Sequence, residues 1–405
     1  MNTFKLLFVV GLLAATASAN RQHHQHQQSQ KLKPSEWFSP KQLKDCPSLD
    51  DVTVERLENM SLEEGAETLR TIYHVSHINY DMQPSYTPTP SSIPVTIFKS
   101  NGEKVETTLD KMASTAKQMP KFGKQEITIY ITGVPAKTET VHKANSELVN
   151  AYVERYRHRA SKTEEENPNT GNLVVIDLGE QLSSAKRYAL LDVEETGEKI
   201  AESIADLIEE CKVPHNIVHI VAHNIAAHVA GAAGEAFERQ TGEQFSRITA
   251  LDPSKIYAEE SDCLTGLARG DAEFVDAIHT SAWGMGTTRR VGDVDFFPNG
   301  PCRGVPGTNN VIQATMRAVR LYAESVRPGH EHNFPAVEER SVENYKNYGC
   351  GKRVHMGLAV DKNAKGDFIL QVNEQSPFGQ RAPAKHNKEC HKSHRSSATW
   401  SSERN

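Results

Sequence analysis

The middle of this 405-residue chain predicts an α/β fold: a mostly parallel central sheet with helices on both faces. Two observations carry that expectation. Between residues 173 and 278, short and mainly apolar runs alternate with longer stretches in which apolar residues recur every three or four positions. A strand that is apolar on both sides has both faces covered, and strand–helix–strand order gives parallel neighbours.

The elements follow in order. Residues 62–77 carry a helical pattern, and residues 83–95, rich in Pro, Ser and Thr, predict a loop. Residues 127–132 (ITIYIT) predict a strand closed by Gly133, and Leu148, Tyr152 and Tyr156 mark one face of a helix. Residues 161–171 are a charged linker containing breakers. A strand is expected over 173–178, then a helix whose buried face carries Ile200, Ile204, Leu207, Ile208 and Cys211. Residues 217–221 predict the next strand, and Ala226, Val229, Ala230, Ala233 and Phe237 line one side of the helix after it. Residues 247–251 and 274–278 predict two more strands, residues 376–405 form a polar tail, and there are no internal repeats.

Composition excludes several classes of function. With 46 basic and 52 acidic side chains and a net charge of -6, the chain has no basic stripe for nucleic acid. No apolar run reaches the roughly 18 residues of a membrane-spanning helix. Residues 1–19 hold Lys5, an apolar run over 6–15 and the sequence Ala17-Ser18-Ala19, which together predict a cleaved secretion signal and an extracellular protein. The Gln/His-rich stretch 21–31 reads as a solvated leader. Cys46, Cys211, Cys263, Cys302, Cys350 and Cys390 are even in number, so all six are candidates for disulfides, and the sequence does not choose their pairing. Asn59-Met60-Ser61 is a glycosylation sequon, and Ser61 with Glu64 is also a capping box opening a helix. No cofactor or metal is expected.

Parallel sheets bind ligands at the C-terminal ends of their strands, so the turn after Val221 is the place to look for chemistry. It reads Ala222-His223-Asn224-Ile225-Ala226. The context, strand then sharp turn then helix, is that of the nucleophile elbow G-x-S-x-G. Every signature position differs: Ala222 for Gly, Asn224 for Ser, Ala226 for Gly.

Residues 217–234 (IVHIVAHNIAAHVAGAAG) resemble the pancreatic-type lipase family, whose segment reads roughly IHLIGHSLGAHVAGYAG. Arg247-Ile-Thr-Ala-Leu-Asp252-Pro253 is similar to that family's RITGLDPA. Residues 271–280 (DAEFVDAIHT) resemble its DAxFVDVIHT, and residues 293–300 (DVDFFPNG) its VDFYPNGG. Residues 317–326 resemble the helix after its CSHxRA motif. The resemblance implies an α/β-hydrolase fold and, position by position, a degenerate triad. The nucleophile position is Asn224, the aspartate is kept as Asp252, and the histidine position is Thr315. Gln313 stands for that motif's cysteine, and Thr132-Gly133 for the His-Gly near the oxyanion strand. An amide cannot be activated as a nucleophile, and a threonine is no general base near neutral pH. His223, His228 and His279 match family histidines outside the triad and are expected to be hydrogen-bonded structural residues. Ser254 and Ser281 have no base assigned to them, and Asp252 is expected to accept hydrogen bonds at the end of its strand.

Residues 32–37 (LKPSEW), 54–60 (VERLENM), 251–256 (LDPSKI), 264–271 (LTGLARGD) and 325–329 (SVRPG) resemble the yolk proteins, the fly-type vitellogenins, of higher Diptera. That resemblance implies a secreted storage protein with no enzymatic activity. It also implies uptake by the oocyte through an endocytic receptor of the low-density-lipoprotein-receptor type, delivery to yolk granules, and digestion there. It further brings an ecdysteroid conjugate or lipid as a ligand, and homo- or hetero-oligomers with other yolk proteins. The tyrosine-rich insert that carries sulfate in many of these proteins has no tyrosine here, in residues 161–171. The organisation expected is a signal peptide over 1–19, a polar leader and helical extension over 20–95, a lipase-like α/β-hydrolase domain over 96–375, and a polar tail over 376–405. The loop over 299–315 is short and rich in Pro and Gly, which predicts a stiff connection in place of a large lid.

Overall fold

Strands form here where consecutive side chains are apolar and β-branched or aromatic, because such residues fill both faces of a covered sheet. The structure, a computed structural model, describes residues 49–78, 85–164, 168–255, 266–282, 284–300, 304–339 and 351–380. The expected signal, the Gln/His-rich stretch, the tail beyond 380, and Cys46, Cys263, Cys302, Cys350 and Cys390 lie outside the described residues.

In chain order the strands are β1 (Pro94–Phe98), β2 (Lys104–Thr108), β3 (Ile127–Ile131), β4 (Asn172–Ile176), β5 (Val218–His223), β6 (Arg247–Leu251), β7 (Val275–Ile278), β8 (Val294–Pro298), β9 (Pro335–Glu338), β10 (Arg353–His355) and β11 (Gly366–Leu370). They form one sheet in the order β10-β9-β11-β8-β7-β6-β5-β3-β4-β1-β2. From β11 to β4 every neighbouring pair is parallel. The outer pairs at both ends are antiparallel.

The helices are α1 (Val54–Glu58), α2 (Leu62–Ile78), α3 (Met112–Lys117), α4 (Glu139–Ala160), α5 (Ala185–Leu190), α6 (Val193–Cys211), α7 (Ile225–Thr241) and α8 (Val311–Val326). Side chains alternate across the sheet and feed two separate cores. Ile127, Ile129 and Ile131 of β3 enter one core with α3, α6 and α7. Tyr130, between them, enters the other with α1, α4 and α8. Capping sets the helix starts: Asp192 accepts from Glu195 N at 2.9 Å to open α6, and Asn310 accepts from Gln313 N at 2.8 Å to open α8.

The α/β-hydrolase fold expected from sequence is present, and the strands expected over 127–132, 173–178, 217–221, 247–251 and 274–278 form within a residue or two. One expectation is corrected. Residues 83–95 were expected to be loop to their end, but β1 starts at Pro94, where the missing N–H is tolerated in the first residue of a strand and Val95 and Ile97 are buried. Residues 49–58 are packed into the core that contains α8, with Val52, Val54 and Leu57 at 1%, 8% and 5% exposure. The capping box forms as expected: Ser61 N and Oγ donate to Glu64 Oε2 at 3.0 Å, and Glu64 N donates to Ser61 Oγ at 3.3 Å. Asn59 is exposed at the end of α1, with Nδ2 donating to Glu55 O at 2.8 Å.

Candidate functional site

The site is built by the ends of β3, β5, β6 and β7 and by helices α5 and α8. At the end of β5 the chain turns at Asn224, with φ 55° and ψ -118°, and enters α7 at Ile225. This is a sparsely populated conformation, of the sort that costs about 1–3 kcal/mol and persists only where the surroundings hold it. Asn224 N donates to Leu251 O at 2.9 Å, and its carbonyl accepts from Ala227 N at 3.1 Å and Ser254 N at 3.3 Å. On the other side Gly133, after β3, approaches so closely that a Cβ there would lie 1.9 Å from the His223 carbonyl oxygen.

Asp252 follows β6 with φ 52°. Its Oδ1 accepts from Thr280 N at 2.9 Å and Ser281 N at 2.8 Å, and its Oδ2 accepts from the Ser281 hydroxyl. Burial pushes its carboxyl above the usual range, while hydrogen bonds from Ser281 and Thr315 oppose that rise. Thr315 comes from α8. Its Oγ1 accepts from Asn224 Nδ2 at 3.3 Å and lies 3.1 Å from His223 Nε2.

The three positions of the expected triad therefore converge, as the resemblance implies, and the network around them is closed. Asn224 Nδ2 also donates to Asp252 O at 3.1 Å. Its Oδ1 accepts from the Tyr188 hydroxyl at 2.6 Å, and that same hydroxyl lies 2.6 Å from Ser254 Oγ. Asn224, Asp252, Ser254 and Thr315 are all at 0% exposure, whereas Tyr188, bonded to Asn224 and Ser254, is half-buried. Burial lowers the His223 imidazole to about 4, so near pH 7 it is neutral and can donate from Nε2 toward the Thr315 carbonyl at 3.3 Å. The chemistry of this arrangement is that of a hydrogen-bonded plug. The amide has no ionisable proton, and the threonine hydroxyl oxygen is engaged by Asn224 and His223.

His228 Nε2 donates to Ser254 O at 2.8 Å, and its Nδ1 accepts from Leu267 N at 3.1 Å. His279 bonds Thr287 O at 2.7 Å and Asp295 Oδ1 at 2.9 Å. The histidines are held as structural residues, and Ser281 is held by Asp252. Tyr188 is the site residue that sequence reasoning missed. Its signal was faint: a six-residue helix opened by Ser184, which accepts from Arg187 N at 3.5 Å.

One cysteine expectation is corrected. Cys211 is a free thiol at the end of α6, half-buried against α3, with Sγ directed at Ala113 O at 3.9 Å. Its place on the core-facing side of an amphipathic helix, expected from the spacing, is a packing role and needs no disulfide. Among the described residues no group of three or more His, Cys, Asp or Glu side chains is placed to hold a metal. No helix among them is long and apolar enough to cross a membrane.

Residues 83–378 match a family model described as Lipase. Vitellogenin-1 of Ceratitis capitata is 47% identical, covering 100% of this chain and 99% of that protein. Vitellogenin-3 of Drosophila melanogaster is 46% identical, covering 94% of this chain and 95% of its own. Inactive pancreatic lipase-related protein 1 of Homo sapiens is 30% identical over 52% of this chain and 51% of that one.

Proposed function

Because the chain belongs to the lipase family and, within it, to the dipteran vitellogenins, we propose that it is a secreted yolk storage protein that does not hydrolyse esters. It is taken up by oocytes through an endocytic receptor and digested as an amino-acid reserve for the embryo. The observation that carries this reading is likeness over the full length: a hydrolase scaffold shared from end to end with vitellogenins, and not merely across a catalytic domain.

The loss of catalysis rests on Asn224. A serine hydrolase works because an imidazole takes the serine proton and a carboxylate orients the imidazole. Here the elbow carries an amide, the base position carries a hydroxyl, and the carboxylate is spent on the backbone of the 280–281 turn. Removing nucleophile or base alone costs about a millionfold in a well-studied serine protease.

Two measurements test the reading together. Antibody staining of laying females should place the protein in haemolymph and yolk granules; absence from the granules defeats storage. The purified chain should give no ester hydrolysis above buffer. Hydrolysis that disappears in an Asp252→Ala variant would show that a working site had been rebuilt.

A further inference from the structure

Tyr188 is held over Asn224 by a helix too short to hold itself. Helix α5 has six residues, and an isolated helix needs roughly 12 or more to be even marginally stable in water. Its support comes from residues 49–58, which precede the stretch matched by the Lipase family model, and from Ser85 and Tyr86 at the start of that stretch. At one end of α5, Ala185 N donates to Val52 O at 2.9 Å, and Lys186 Nζ lies 3.0 Å from Asp50 Oδ2. At the other end, Ser85 N and Tyr86 N both donate to Leu190 O at 2.9 Å. Arg187 Nη1 donates to the Tyr86 hydroxyl at 2.8 Å, with its guanidinium 4.7 Å above the Tyr86 ring.

Residues 49–58 are also anchored on the far side of the site. Val52, Val54 and Leu57 are buried in the core with α8. Glu58 O accepts from Asn310 Nδ2 at 3.0 Å, and the Glu58 carboxylate bonds the Thr140 hydroxyl. Asn310 caps α8, the helix that delivers Thr315 to the network. One segment thus grips both the helix bearing Tyr188 and the start of the helix bearing Thr315. The exposed Lys186–Asp50 pair adds little to this. The backbone hydrogen bond to Val52 and the buried apolar anchors carry it.

We propose that residues 49–58 are a built-in seal: with Ser85 and Tyr86 they clamp α5, and through Tyr188 keep the old elbow out of reach of solvent and of any ester. This goes beyond the storage reading and does not depend on it. An animal lacking yolk staining would defeat that reading and leave the seal untouched.

The test uses the full chain with an Asn224→Cys substitution and a small aromatic disulfide as thiol probe. The parent chain, treated alongside, supplies the background from Cys211 and the other cysteines. The introduced thiol should label slowly. Adding Leu57→Ala, which loosens the anchor, should speed labelling about tenfold or more, and Tyr188→Ala should do at least as much. If Tyr188→Ala speeds labelling and Leu57→Ala leaves it unchanged, the segment is no seal; if neither moves it, Tyr188 is no cover. Should Asn224→Cys fail to fold, amide exchange decides. Leu57→Ala in the otherwise native chain should raise exchange at residues 185–190 well above any change in the middle of α8. Equal exchange at 185–190 with and without Leu57 overturns the proposal.

Discussion

Asn224 donates through Nδ2 to Thr315 Oγ1 at 3.3 Å, so the positions that the lipase pattern reserves for nucleophile and base are tied directly to each other. The other side-chain contacts of Asn224 are equally specific: Asp252 O at 3.1 Å and the Tyr188 hydroxyl at 2.6 Å. A planar amide supplies two donors and an acceptor in fixed directions. A serine, with one hydrogen and a shorter reach, cannot serve all three partners. The substitution that removes the nucleophile therefore also knits the turn together.

Restoring the serine should consequently weaken the fold and return no activity. Asn224→Ser leaves buried partners of the amide unpaired and should cost about 1–3 kcal/mol, read as a lowered urea midpoint with an unchanged slope. The double variant Asn224→Ser/Thr315→His should still show no hydrolysis of a short p-nitrophenyl ester above buffer, because Tyr188 covers the elbow. Turnover in that double variant would mean that the cover opens freely.

Two buried imidazoles should make the chain sensitive to acid. Burial lowers His223 and His228 to about 4, below their unfolded value of 6.5. A depressed folded pKa gives stability that is complete above pH 6.5 and is lost as pH falls through about 4. Asp271 has the opposite sign. Burial raises it to about 7, with Glu235 and Glu238 adding to the rise. Its contribution is complete below its unfolded value and is lost as pH climbs through about 7. Urea midpoints measured from pH 8 to pH 4 should separate the two. His228→Gln should shrink the acid loss by about 3 kcal/mol, and Asp271→Asn should remove a loss that builds as pH rises from about 4 to about 7.

The sequence made the parallel sheet legible because covered strands leave a plain signature: residues 127–131, 218–222 and 247–251 are apolar or β-branched nearly throughout. It was silent on the antiparallel edges. β2 is half-exposed and polar, and β10 has three residues, so neither carries a run long enough to read. The convergence of Asn224, Asp252 and Thr315 was legible through the family motif, since two strand ends and helix α8 fix where those residues meet. Tyr188 was not, because nothing local in α5 says what its tyrosine will touch. That contact is decided by Val52 and Tyr86, more than 100 residues away in sequence. The disulfide expectation for Cys211 failed for a related reason: an even cysteine count describes the chain as a whole and says nothing about one core-facing position.

Gly133 should tolerate no side chain. A Cβ at this position would meet the backbone carbonyl of His223 at 1.9 Å, and backbone cannot move aside as a flexible side chain can. Gly133→Ala should therefore cost more than the roughly 1–3 kcal/mol typical of overpacking, or prevent accumulation of folded protein. Gly242 is the control. It has φ 76° at the end of α7, with nothing within 4 Å of its built Cβ, so Gly242→Ala should cost only about 1 kcal/mol through backbone strain. Thermal melts of the two variants give the comparison, and similar losses would mean that β3 and β5 can separate at little cost.

The buried pair Arg247–Asp276 should behave as a unit. Arg247 Nε and Nη2 lie 2.7 and 2.8 Å from the two Asp276 oxygens, and Asp276 is at 0% exposure. Thr249 Oγ1 also donates to Asp276 at 2.8 Å and lies 2.8 Å from His219 Nε2. The remaining guanidinium hydrogens reach Gly357 O at 2.8 Å and Leu358 O at 3.2 Å, so the pair also fastens the chain between β10 and β11. Arg247→Met strands a carboxylate in the core and should cost about 3–5 kcal/mol, and Asp276→Leu, which strands the guanidinium, should cost a similar amount. The double variant leaves no stranded charge, so its loss should fall at least 2 kcal/mol or so short of the sum. It should still be less stable than the parent, because two carbonyls and Thr249 lose partners. Four urea titrations measure this coupling. If the double variant loses the full sum, the two side chains act independently, and the tether to residues 357–358 carries the stability instead.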